Sequence, residues 1–190
     1  MAMLKPALPA RSERYHSRRI LKVPLGAQRF LAAFEGFEGG FAIGASIVVG
    51  LSLAGYGRET LLATAFISLI VSGFNSASVK YSSEHYLDEL DGREKKHGFR
   101  NYFAPAVIEF VSYTAISLVS IIPLLLIGNI TTAVWACVGV TLVLLFLAGF
   151  WRGYMLRTSS IRDGIETALL GGGIIVVGLV SGLIVNSLCL

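Results

Sequence analysis

Five apolar runs, at residues 31–54, 60–79, 103–127, 131–151 and 164–188, dominate the chain. Each is close to the ~20 residues that an α-helix needs to cross the hydrocarbon core of a bilayer. The 54% hydrophobic content and mean hydropathy of +0.70 exceed the about 45–50% apolar content of soluble domains. The runs therefore predict an all-α integral membrane protein with five transmembrane helices. One membrane domain, residues 30–190, follows a basic cytosolic tail, residues 1–29, which shows no cleavable signal-peptide pattern. A mitochondrial presequence is the alternative for that tail.

The connections alternate between very short and charged, which makes spans 1–2 and 3–4 tight hairpins. Fifteen of the sixteen basic residues fall in the tail, in residues 80–102 or in residues 152–163, and only Arg58 falls opposite. The positive-inside rule then puts the N-terminus in the cytoplasm and the C-terminus across the membrane. The tail, with a basic stretch at residues 15–25, suits an anionic lipid surface. It carries no nucleic-acid-binding motif. The membrane itself is left open between a plasma or inner membrane and an organellar one. Asn129-Ile130-Thr131 matches a glycosylation sequon, but a tight turn at the bilayer surface is a poor acceptor.

The chemistry concentrates in the first span. Glu35 and Glu38 lie three residues apart, on one helical face, inside its first turns. A charged residue in a membrane helix costs ~2.5–3.5 kcal/mol on insertion scales and marks a functional site by default. Gly36, Gly40 and Gly44 recur every fourth residue, a stripe that lets another backbone approach. Glu109 enters the third span and Glu166 the fifth from the same side. Four carboxylates thus fall at similar depth, with no Lys or Arg inside the predicted spans to pair with them. Clustered carboxylates in a low dielectric repel unless a proton or a cation sits among them, and oxygen-rich sites suit hard or borderline divalent ions. The plainer account is that acids near helix N-termini suit the dipole and reach headgroup water.

Asn75 and Ser76, late in the second span, line a path or bond neighbouring helices. Pro123 is expected to kink the third span. The charged segment 82–96 reads as a helix carrying the second span into the cytosol, with a solvated charged face. Gly171, Gly172, Gly173, Gly178 and Gly182 read as packing glycines. No strand–loop–helix context supports a nucleotide motif. The two cysteines have no metal-ligand or disulfide spacing, and no nucleophile arrangement suggests an enzyme.

The order of these features resembles the vacuolar iron transporter family, over residues 34–182. Gly36-Phe37-Glu38-Gly39 is similar to its first-helix Asn-Asp-Gly turn. Pro105-Ala106 and Ile122-Pro123-Leu124-Leu125-Leu126 are similar to its third helix, and Arg162-Asp163-Gly164-Ile165-Glu166 to its last. The absence of a long cytosolic metal-binding domain is similar to the short, nodulin-like members. The resemblance implies a homodimer through helix 1 that moves Fe2+ or Mn2+ out of the cytosol, usually against protons, with no tightly bound cofactor. The candidate ligand set, drawn from the depth of the acids and the polar groups of the second span together with the resemblance, is Glu38, Glu35, Glu109, Glu166, Asn75 and Ser76; Glu109 matches no acid of the family. Where the family has a second-helix methionine and glutamate, this chain has Ala77 and Lys80 or Tyr81. That departure motivates the alternative, a transport-inactive relative serving as a structural or assembly subunit among other membrane subunits.

Overall fold

A computed structural model describes residues 27–90, 92 and 98–189. The segment 15–25 and the basic and acidic residues 93–97 fall outside that range. The described chain is helical, without strands: α1 (Ala27–Leu53), α2 (Arg58–Leu90), α3 (Gly98–Ser120), α4 (Ile122–Leu126), α5 (Ile130–Leu156) and α6 (Ser160–Cys189). Five helices are long and apolar enough to cross a membrane, α3 and α4 together making the third. The five-span reading holds. The spans are longer than the apolar runs, because backbone hydrogen bonding continues past the first charged side chain. α2 is the extreme case: its 33 residues reach about 50 Å at 1.5 Å each, well beyond a ~30 Å core.

α1 is the axis of the bundle and packs against α2, α3, α5 and α6. Its two halves differ. The C-terminal half carries Ala45, Val48 and Val49 into an apolar core with Leu61, Ala65, Leu69, Leu124 and Cys137. The N-terminal half meets polar neighbours instead. Outside, large apolar side chains such as Phe74, Leu147, Leu169 and Val177 are more than half exposed, while Ser117, Ser120, Thr141 and Thr167 are buried. An apolar exterior around a partly polar interior is the arrangement expected in lipid.

Glycine sets the helix crossings. A Cβ on Gly36 would lie 2.6 Å from the Glu109 carbonyl oxygen, and one on Gly40 would lie 2.6 Å from that of Tyr113. The stripe on α1 is therefore the seat of α3. Gly178 meets Ser46, Gly182 meets Gly50 and Gly171 meets Leu145, so glycines of the last span also pack closely. Gly172 and Gly173 are the exceptions: a Cβ on Gly172 would meet only the end of Leu142 at 3.7 Å, and Gly173 has open space around it.

The kink expected at Pro123 appears as a break between α3 and α4 at Ile121. The carbonyls that end α4 are collected by Arg58, the basic residue isolated on the opposite side of the sequence. Its guanidinium donates to the carbonyls of Leu124, Leu125 (3.1 Å), Ile127 (2.9 Å) and Gly128 (3.2 Å). Asn129 caps the next helix, its side chain accepting from the Thr132 amide at 3.2 Å. That cap gives the apparent sequon a structural reason.

Candidate functional site: a carboxylate band at one end of α1

The antiparallel hairpins bring the N-terminal ends of α1, α3 and α6 together with the C-terminal parts of α2 and α5. Because α3 sits directly on Gly36, the backbone of Glu109 lies against α1 one residue from Glu35. Ser76, on the facing side of α2, donates to Glu109 Oε1 at 2.5 Å. Glu109 is only 4% exposed, and its Oε2 has no hydrogen-bond partner among the described residues. Buried carboxylate oxygens are usually satisfied, so this one stands out among the described residues.

Lys80 joins the group from α2. Its ammonium pairs with Glu35 Oε2 and, at 3.1 Å, with Glu84 Oε1, while Gln28 donates to Glu84 Oε2. Glu38 turns to the other neighbour of α1: Arg152 Nη1 of α5 donates to its Oε1 at 2.9 Å. Next to Arg152 in sequence, Trp151 stacks on Phe34 of α1 at 5.5 Å and lies edge-on to Phe30 at 6.0 Å. Glu35 lies within electrostatic range of both Glu38 and Glu109, so the acids form one band around α1. Tyr102 closes its outer edge, donating to Asp88 at 2.7 Å and packing edge-on to His85 and Tyr81.

Of the six side chains expected in the site, Glu35, Glu38, Glu109 and Ser76 are brought together. Asn75 and Glu166 are not. Asn75 is exposed on α2, and Glu166 is exposed on α6 beside Arg162 and Ile165, each without a hydrogen bond or ion pair to the band. The absence of an internal salt bridge, expected because no Lys or Arg lies inside the apolar runs, is corrected. Lys80 and Arg152 stand just beyond those runs, yet α2 continues to Leu90 and α5 to Leu156, which keeps both on helix and turned toward α1. The i,i+4 spacing of Lys80 and Glu84 was the available sequence signal. No group of three or more His, Cys, Asp or Glu side chains among the described residues is arranged to hold a metal ion. The acids are gathered but not assembled as a chelate.

Fold and site together define a five-span membrane protein with a carboxylate band embedded at one end. The model of the VIT family matches residues 79–183, more than half of the chain, and the protein belongs to that family, the vacuolar iron transporters. The family points to membrane metal-ion transport. The match includes Lys80, Glu84, Glu109 and Arg152; α1, with Glu35 and Glu38, precedes it. No curated protein matches the chain.

Proposed function

We propose that the protein carries a divalent metal ion, Fe2+ or Mn2+, out of the cytosol, with protons as the counter-ion, and that the α1 acids receive the ion. One observation carries this reading. Four carboxylates, Glu35, Glu38, Glu84 and Glu109, gather at one end of α1 against two cations, Lys80 and Arg152, among the described residues. Within this band, pairing with Lys80 and Arg152 leaves a local excess of two negative charges, which suits a doubly charged ion. Because metal and proton compete for the same oxygens, protonation from the far side would release the ion. The basic residues cluster at the same end, which makes that end cytoplasmic under the positive-inside rule.

A homodimer belongs to this reading. α1 shows Ser46, Gly50 and Ala54 in an open groove between α2 and α6, also lined by Ser68 and Gly178, where a second copy would fit.

Initial-rate uptake of Mn2+ by vesicles holding the purified protein tests the proposal. Wild type is expected to exceed empty vesicles with saturable kinetics, and Glu38→Ala to lose at least about tenfold, equivalent to ~1.4 kcal/mol. Undiminished uptake by Glu38→Ala would remove that residue from the mechanism. The second reading, an assembly subunit without transport, is favoured by Lys80, whose ammonium already answers two of the acids. Stoichiometric foreign subunits in mild detergent, together with no uptake, would select it.

A further inference from the structure

Lys80 is placed as a ligand would be. Its side chain is 10% exposed, and its ammonium bridges Glu35 of α1 and Glu84 one turn along α2. Glu109 lies within electrostatic range of all three. One of its oxygens is taken by Ser76, and the other, buried, has no partner among the described residues. A lysine ammonium has three donors on a flexible four-carbon stem, so it can leave by side-chain rotation alone, without helix movement.

We propose that Lys80 is a tethered competitor: its ammonium occupies the Glu35–Glu84–Glu109 pocket, which binds a divalent cation when the ammonium swings out. A competitor built into the same helix acts at high effective concentration, so the pocket's apparent affinity falls by the fraction of time it is free. Ion binding thereby becomes conditional on whatever draws Lys80 away. The ion's identity rests on the transport reading; the pocket does not.

The test is the thermal midpoint of the purified full chain in detergent, with and without excess Mn2+. Lys80→Met leaves carboxylates unpaired and should melt below wild type in the absence of metal. Mn2+ should then raise its midpoint by about 5–10 °C, against less than about 2 °C for wild type and for Lys80→Arg. Adding Glu109→Gln to Lys80→Met should remove most of that shift. A Lys80→Met protein that responds to Mn2+ no more than wild type overturns the proposal, as does a shift that survives Glu109→Gln. Should Lys80→Met not fold, Lys80→Gln takes its place. Wild type supplies an independent reading: saturating Mn2+ should increase acylation of the Lys80 amine by a water-soluble reagent, and unchanged labelling contradicts the competitor. Vesicle uptake separates the two ideas. No wild-type uptake alongside a Mn2+-responsive Lys80→Met removes transport and keeps the pocket, and the reverse pattern removes the pocket and keeps transport.

Discussion

Arg58→Ala is expected to be the most destabilising single change, at about 3–5 kcal/mol, read as a loss of roughly 6–15 °C in thermal midpoint. The guanidinium serves four carbonyls at the end of α4. The last carbonyls of any helix lack intrahelical donors. The contacts to Leu124 and Ile127 are half-buried and carry most of the effect, since hydrogen bonds to a charged donor are worth about 1.5–3 kcal/mol each. Those to Leu125 and Gly128 are exposed and add little. The cation also opposes the negative end of the helix dipole. Arg58→Lys keeps the charge but has no planar fork, and should recover only part of the loss. A midpoint for Arg58→Ala within about 2 °C of wild type would show that the α4 carbonyls find other donors.

Gly40→Val should follow, at about 1–3 kcal/mol or more, and should also lower Mn2+ uptake. A Cβ there would stand 2.6 Å from the Tyr113 carbonyl oxygen and 3.1 Å from Ser117 Oγ. The nearest obstacle is backbone, so α1 and α3 must part. Their separation carries Glu109 away from Glu35, which links the packing to the site. Gly139→Ala supplies the opposite sign. Nothing lies within 4 Å of a Cβ at Gly139 inside α5, so alanine should be neutral or stabilising by up to about 1 kcal/mol. Equal midpoints for Gly40→Val and wild type would contradict the close α1–α3 crossing.

Much of this was legible in the sequence because the responsible signals are local. An apolar run of membrane length has few other solutions, so the five spans were readable. The charged continuation of α2 and the break near Pro123 were readable for the same reason. The glycine stripe announced a close crossing, though not that α3 would fill it. What could not be read was which side chains cross between helices. Drawing span ends at the first charge left Lys80 and Arg152 in connections, where nothing would pair with Glu35 and Glu38. A long helix instead keeps a charged residue in register with its apolar face, one turn past the run, and antiparallel neighbours bring it alongside. Arg58, as the one basic residue opposite, informs topology from the sequence, while its role as a cap depends on where α4 ends. Asn75 and Ser76 are adjacent in sequence, but a 100° step about the helix axis sends one outward and the other to Glu109.

On the proposed reading the α1 acids serve a cation and do not merely balance Lys80 and Arg152. A charge-removal cycle on the pair held at 2.9 Å separates the two roles. Initial Mn2+ uptake would be measured for wild type, Glu38→Gln, Arg152→Gln and the double variant in matched vesicles. If Glu38 receives the ion, Arg152→Gln keeps uptake, while Glu38→Gln and the double variant both lose at least about tenfold. If Glu38 exists only to satisfy Arg152, removing both charges restores uptake to the wild-type rate, and that result would rule out ion binding by Glu38.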